Sequence, residues 1–510
     1  MDDIGRLLDE IALPVVDDQA MVGFALGVVR GGELVASRCY GYADLGSGRP
    51  VDTSTVFRIG SISKTFTGVA AMQLVERGLI ALDDPVADHL RTFRWVQPPG
   101  TRPATVREVM THTSGVGEVQ RRRDLLLDSA TVGLGVPWGE PVPPLAEYYR
   151  GEIHSDIAPG RRWSYANHAI TALGQVVEDV SGMPFEQYAR EHVFAPLGLT
   201  GTDFVLQDGQ RRSLALGYEV KGARVRDVPW SEVVVRAAGS VFSSVDQMAM
   251  YAAALLNGGA NEHGRVLKPT SLQTMFTAHW RQHPALPGQG LTFLLDDYDG
   301  HPVVWHDGGW PAFVSSMLVA PGADTAVLAF TNSGSRAVHA VAEQVLRRLL
   351  GVPVLSTGEA RRRAPSSPEL WADLVGVYAP PRGGTTNARL LDLGLELEVL
   401  VRDGHLVLRS PLGSLRAGVR LYPSDPDDPL LFESVVAFGG APCLLRAAFV
   451  RGADGRATEL VGTMLLPYQV ERRPALRSAR RLGRLAAGAG VLVTGAALLR
   501  HHRRNDRSGR

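Results

Sequence analysis

Between residues 22 and 43 the apolar positions fall into two strand-like runs joined by Arg30-Gly31-Gly32-Glu33, a spacing that predicts a β-hairpin at the opening of the fold. The next stretch has a helical period. From 61 to 77, Val69, Met72, Leu74 and Val75 recur at helix spacing until Gly78, and the surrounding residues are so apolar that the helix should be buried on most sides. Further helices are predicted from Pro103 to Met110, Ala169 to Val180 and Asp246 to Leu256. The last is preceded by Ser244 with Gln247 three residues on, a capping pattern. Strands are predicted at 303–306, 313–320 and 325–331. The run STGEARRRAPSSP, 356–368, is polar, aperiodic and proline-bearing, as a linker is. Beyond it the pattern is β only, with turns at Asp403-Gly404 and Asp454-Gly455. The expected organisation is a main domain over 1–355, the linker, a small antiparallel β domain over 369–472 and an arginine-rich tail over 473–510. No internal repeat is present.

With 510 residues, 45% hydrophobic and 21% charged, the chain can bury a large core. Its 53 basic and 53 acidic residues leave no global field for a polyanion, which argues against a nucleic-acid partner. Cys39 and Cys443 are too few for a disulfide scaffold or a zinc site, so a reducing compartment fits, and no metal or other cofactor is expected. Acidic residues stand where a secretory signal would be basic, and a cytoplasmic location is the expectation. The tail differs from the rest. Leu485 to Leu499 carries no charge, lies between arginine-rich flanks, and at 15 residues is shorter than the roughly 20 a spanning helix needs. It is a candidate membrane anchor or peripheral contact, the alternative being a tail that touches no membrane. The oligomeric state is left open by the sequence.

Only three of the 53 cations are lysines, Lys64, Lys221 and Lys268. An arginine serves a solvated surface equally well but stays protonated, whereas a desolvated lysine can lose its proton near neutral pH and act as a base. Three residues before Lys64 stands Ser61, one helical turn away on the same face. Alone, this spacing is weak, since Ser61 could simply cap a helix. Two further motifs follow in order, Tyr165-Ala166-Asn167 and His306-Asp307-Gly308.

With these three motifs, and with GYADLGSGRPVDTSTVFRIGSISKTFT, MTHTSG, APGRRWSYANHAITALGQVVEDVSG, FAPLGLTGTDF and AAGSVFSSVDQMAMY, the chain resembles the serine β-lactamase and penicillin-binding-protein superfamily over about residues 20–350. The likeness is greatest to the class C-like branch of esterases, D-aminopeptidases and carboxypeptidases. It implies an all-α lobe packed on an α/β lobe with an antiparallel sheet and a site between the lobes, here followed by the small all-β domain. It implies Ser61 as nucleophile, with Lys64 and Tyr165 as one coupled proton-handling unit. Asn167 would hold the lysine and orient substrate, and the strand carrying His306, Gly308 and Gly309 would wall the cleft, with the Gly309 and Ser61 N–H groups at the oxyanion. Where the lactamases have K-T-G this chain has His306-Asp307-Gly308. A fixed cation for a substrate carboxylate is thereby missing, and efficient β-lactam hydrolysis is not expected.

Several residues have simpler readings. His112 should brace a loop, Trp163 and Trp310 should wall the cleft, Arg121 to Arg123 should be a solvated face, and Ser63 should be dispensable for acylation. The segment from about 119 to 159 is either a lid or a variable loop. The leading function is an acyl-enzyme hydrolase for a small-molecule ester or peptide-like amide. One alternative passes the acyl group to an amine or alcohol, as a transesterase or a peptide-cyclising off-loading enzyme does. Another is a non-catalytic ligand sensor, against which the complete Ser61, Lys64 and Tyr165 set argues.

The tail yields a direct test. Full-length protein should co-sediment with anionic vesicles at low salt, each nearby arginine adding about 1 kcal/mol. High salt should release a peripheral contact and leave a spanning one. A chain ending at Arg473 should remain in the supernatant with unchanged ester turnover.

Overall fold

The computed structural model describes residues 2–18, 21–118, 120, 133–357, 364–381, 396–410, 415–438, 440–463 and 469–474. The run 485–499 and Arg121 to Arg123 lie outside the described residues, as does part of the 119–159 segment. No helix among the described residues is long and apolar enough to cross a membrane.

The main helices are α1 (Asp2–Asp18), α2 (Ser63–Glu76), α3 (Val106–Met110), α4 (Asn167–Ser181), α5 (Val245–Leu256) and α6 (Ala337–Leu350). A seven-stranded antiparallel sheet is built from β1 (Gly23–Arg30), β2 (Glu33–Asp44), β3 (Arg49–Pro50), β4 (Leu294–Tyr298), β5 (His301–Trp310), β6 (Phe313–Ala320) and β7 (Thr325–Thr331). Its spatial order is β4-β5-β6-β7-β1-β2-β3, so the opening hairpin pairs with the last strand of the domain through Phe24 opposite Thr331.

Seven of the eight residues of β1 are buried. Ala25 and Val29 belong to the core shared with the helical lobe, whereas Phe24, Leu26 and Val28 pack with α1 and α6 on the opposite face. A strand covered on both sides reads as a continuous apolar run, which is why the alternation of β1 is faint in the sequence. In the helical lobe α2 is buried on nearly every side, from Ser63 through Leu74. Phe66 packs 5.2 Å from Phe194 and 4.1 Å from Tyr251 between ring centroids.

Capping sets several boundaries. The helix expected from Pro103 begins only at Val106, because Thr105 forms a capping box with Glu108 and so stands outside it. Ser244 caps α5 by accepting from Gln247 N at 3.4 Å. The helix expected to begin at Ser61 begins at Ser63, behind a 3-10 turn over Gly60–Ile62. The acidic N-terminal segment, for which the sequence suggested no element, is α1, which packs on α6 and β2.

The C-terminal β region closes into an eight-stranded barrel running from Gly376–Ala379 to Val470–Arg473, around a core including Tyr378, Leu406, Phe432, Leu445 and Phe449. Both turns read from the sequence are there, between Leu397–Arg402 and His405–Arg409 and between Ala441–Arg451 and Ala457–Gly462. The barrel docks behind the sheet. Arg446 forms an ion pair with Asp296 and donates to Asp297 O at 2.8 Å, Gln344 Nε2 donates to Pro442 O at 3.2 Å, and Cys443 enters the core under α6. Near the front, Arg162 pairs with Glu471.

Beneath this junction lies a buried ion cluster. Arg347 is fully buried, donates to Glu343 Oε1 at 2.9 Å and Asp299 Oδ2 at 3.3 Å, and sits 4.5 Å from the Tyr298 ring centroid. Burial pushes the Glu343 carboxyl up, and Arg347 is the largest influence opposing this. Arg347→Ala would leave Glu343 buried without its partner. The variant should lose about 3 to 5 kcal/mol, read from the urea midpoint, with smaller loss in Arg347→Ala/Glu343→Leu.

Candidate active site

The turn that carries Ser61 is held from three directions. Ile59 N donates to Val241 O at 2.9 Å, Ser315 Oγ donates to Ile59 O at 2.7 Å, and Ser63 Oγ donates to Gly60 O at 2.6 Å while accepting from Val241 N at 3.0 Å. Ser63, expected to be dispensable, is thus a fully buried tie in the turn that presents the nucleophile candidate. Gly60 has a φ of +52°, and a Cβ there would lie 2.5 Å from Gly309 N. A Cβ on Gly308 would lie 1.9 Å from Ile59 O. Strand β5 therefore runs backbone to backbone against the turn, and the Gly309 amide is brought up against Gly60, the residue before Ser61.

Lys64 follows in the first turn of α2 and is fully buried. Its Nζ lies 2.8 Å from Ser61 Oγ, 2.6 Å from Asn167 Oδ1 and 2.7 Å from Ala238 O, and 4.7 Å from the centroid of the Tyr165 ring. Burial draws the ammonium down to about 7, with the Glu118 carboxylate acting against that shift. An amine poised at that value exchanges its proton within the physiological range.

Tyr165 is positioned by His112. The histidine follows α3 with a φ of +58°, and its ring lies 4.4 Å from that of Tyr165 between centroids. Its main chain accepts from Ser164 N at 2.7 Å and its Nδ1 accepts from Ala166 N at 3.3 Å, gripping the chain on both sides of the tyrosine. The loop brace read from the sequence is also the support under a site residue. Trp163 stands edge-on to His112 at 5.9 Å and donates from Nε1 to Gln289 Oε1 at 3.2 Å.

Asn167 opens α4, and its side chain is held by a residue that the sequence reading did not single out. Its backbone N donates to Glu118 Oε2 at 2.9 Å and its Nδ2 donates to Glu118 Oε1. Burial raises the Glu118 carboxyl, against the two Asn167 bonds and the nearby Lys64. An acid three residues beyond MTHTSG carries no local mark of such a role, because its partners lie 49 and 54 positions away.

His306 is buried across the cleft, 6.4 Å from the Tyr165 ring between centroids, with Nδ1 2.6 Å from Asp307 O. Burial, and then Lys64, bring its pKa down to about 4. The same two causes hold His112 well below its ordinary value. Both imidazoles are neutral at neutral pH. Strand alternation turns Asp307 to the opposite face, where it accepts from Ser316 Oγ at 2.7 Å and meets His339 Nδ1 at 2.9 Å. Burial disfavours charge on His339, but the Asp307 carboxylate, with Glu343 and Asp296 behind it, outweighs this and the pKa is raised. Trp310, at the end of β5, donates from Nε1 to Ser231 Oγ at 3.1 Å.

Ser61, Lys64, Tyr165, Asn167, His306, Gly308 and Gly309 are therefore gathered around one cleft. The family model described as Beta-lactamase matches residues 8–351. The chain belongs to the β-lactamase family. It is 28% identical over 330 residues to penicillin-binding protein 4 of Amycolatopsis lactamdurans, covering 61% of this chain and 81% of that protein. It is 34% identical over 211 residues to esterase EstB of Burkholderia gladioli, covering 40% of this chain and 52% of the esterase. Among solved structures, the octameric penicillin-binding protein homologue from Pyrococcus abyssi superposes with a TM-score of 0.60 at 21% identity, over 92% of this chain and all of that one. SurE does so with a TM-score of 0.58 at 24% identity, over 92% and 99%. These two likenesses establish the fold, barrel included. β-Lactamase-family relatives of this kind, esterase and β-lactamase among them, are serine hydrolases.

The geometry around Lys64 sets a pH expectation. A protonated Nζ cannot accept from Ser61, so labelling of Ser61 by a fluorophosphonate should fall as pH drops through about 7 and level off above it. Lys64→Arg keeps the charge but has no lone pair to offer, and should label at least about a hundredfold more slowly than wild type across that range.

Proposed function

We propose that this β-lactamase-family protein hydrolyses an ester or a peptide-like amide through an acyl-enzyme on Ser61. The observation that carries the reading is the 2.8 Å contact of Ser61 Oγ with a fully buried lysine whose proton is held near neutrality. In acylation the Ser61 proton passes to Lys64 Nζ while Oγ bonds to the carbonyl carbon, and the carbonyl π pair moves to oxygen. The Gly309 and Ser61 N–H groups receive that oxygen, each such donor being worth roughly 2.7 to 4 kcal/mol. Tyr165, whose ring lies beneath the ammonium, relays the proton to the leaving group as the carbonyl re-forms and the bond to that group breaks; water then adds to the acyl-enzyme, releasing the acid and returning the proton to Ser61, while Asn167 shares in holding the lysine and the substrate. His306 stands where the lactamases keep a lysine and is neutral, so the strand side of the cleft has no fixed cation there for a substrate carboxylate. This supports uncharged acyl groups, as in simple esters, over β-lactams. The likeness to esterase EstB points the same way.

Intact mass after fluorophosphonate treatment should show one adduct, mapped to Ser61. Turnover of p-nitrophenyl esters should exceed that of a chromogenic cephalosporin, with amides of D-amino acids as the third arm. Ser61→Ala should lower turnover by about a thousandfold or more while retaining the wild-type melting profile within a few degrees. An adduct on Ser63 or Ser114, or turnover that survives in Ser61→Ala, would overturn the assignment. Added amines or alcohols that divert the acyl group into new amide or ester products would identify a transferase instead.

A further inference from the structure

One charged group in the cleft has no part in that scheme, Glu118. Its place follows from the valence of the amine it faces through Asn167. As an ammonium, Lys64 Nζ has three N–H groups, and three acceptors surround it: Asn167 Oδ1, Ala238 O and Ser61 Oγ. As a neutral amine it has two N–H groups and one lone pair. A carboxamide oxygen and a backbone carbonyl can only accept, so the hydroxyl of Ser61 is the one partner of the three able to reverse and donate. The lone pair is thereby directed at the proton that acylation removes.

This holds only while Asn167 turns its oxygen to the lysine. A carboxamide rotated by half a turn has nearly the same shape but offers N–H to the amine, which would occupy the lone pair and leave Ser61 without a base. The rotation is opposed by a group that accepts and cannot donate. Glu118 takes Asn167 N at 2.9 Å on one oxygen and Asn167 Nδ2 on the other, an arrangement that suits the carboxylate and not the acid.

We propose that Glu118 is a positioning residue, fixing the face of the Asn167 carboxamide so that the Lys64 lone pair is left for Ser61. The inference rests on the acyl-enzyme reading above. Its second consequence is electrostatic. Among the described residues, the titratable groups facing Lys64 are Glu118, His112, His306 and Tyr165, and those facing Glu118 are Lys64 and Tyr149. Burial holds both imidazoles below their ordinary value and leaves them uncharged at neutral pH, so Glu118 is the anion that raises the proton affinity of the amine against burial.

The test is an exchange of the carboxylate and the carboxamide, read by the pH dependence of p-nitrophenyl butyrate acylation. Glu118→Gln sets one amide donor against an Asn167 donor, so the plateau rate should fall roughly tenfold or more. It also removes the anion, and the acidic limb should move down by about one pH unit. Asn167→Asp alone places two carboxylates in contact and should be worse. In Glu118→Gln/Asn167→Asp, the introduced amide can donate to the introduced carboxylate and accept from the backbone N–H of position 167, while that carboxylate offers the lysine only acceptors. The double variant should regain at least tenfold over Asn167→Asp, with its limb above wild type because a carboxylate now touches Nζ. A role limited to scaffolding would lower rates without moving the limb. Equal limbs in all variants, or a double variant no faster than Asn167→Asp, would sink the proposal, and the latter comparison stands even if Glu118→Gln does not fold. Fluorophosphonate labelling separates the two readings. Unlabelled Ser61 in wild type overturns the hydrolase and this proposal with it, whereas a labelled wild type with an unchanged Glu118→Gln profile overturns this proposal alone.

Discussion

A lysine amine removed from water and surrounded by three oxygens is the constraint around which this molecule is organised. Burial alone would cost several kcal/mol for a bare ammonium, and the group responds by lowering its proton affinity toward neutrality. The oxygens come from three separate places: the turn before α2, the start of α4 and the turn at Ala238. None of these segments can shift without unpairing Nζ. The dense packing of α2 against α4 and the Arg236–Gly239 turn therefore serves the site as much as stability. It also answers why a chain that otherwise prefers arginine keeps a lysine at 64. A planar guanidinium stays protonated, offers no lone pair and does not match this tetrahedral arrangement.

The opposite wall of the cleft is built from backbone rather than side chains. Gly60 and Gly308 let β5 approach the turn at distances no Cβ would allow, which brings the Gly309 amide up to Gly60, the residue before Ser61. Two buried neutral imidazoles, one beneath Tyr165 and one across from it, complete a surface with little fixed charge of its own. Among the described residues, Lys64 and Glu118 are the charged pair of the cleft, linked through Asn167.

Behind the sheet, polar groups do structural work. Asp307 ties β5 to α6 through His339, and the Arg347 cluster joins α6 to β4 beneath the docked barrel. The strand that walls the cleft on one face is anchored on the other by the Asp307–His339 pair. Because such pairs are costly to break one partner at a time, they favour a single seating of the barrel and the strand.

Much of this was legible in the chain. The hairpin, the barrel turns at Asp403-Gly404 and Asp454-Gly455 and the central sheet strands follow from local turn chemistry and short-range periodicity, which act within a few residues. The Ser61 and Lys64 pair was legible too, since one helical turn fixes its reach. Element starts were less so: the Thr105 cap moved one helix start, and the 3-10 turn over Gly60–Ile62, tied by long-range hydrogen bonds, moved another. By itself the sequence determined which residue types could do the chemistry, and in what order they come. Tertiary structure alone decided that Glu118 grips Asn167, that His112 lies under Tyr165, that Asp307 faces away from the cleft and that Ser63 is a structural tie. Each of these depends on contacts across tens to hundreds of residues, where burial and hydrogen-bond geometry set the outcome and no local pattern marks the partners.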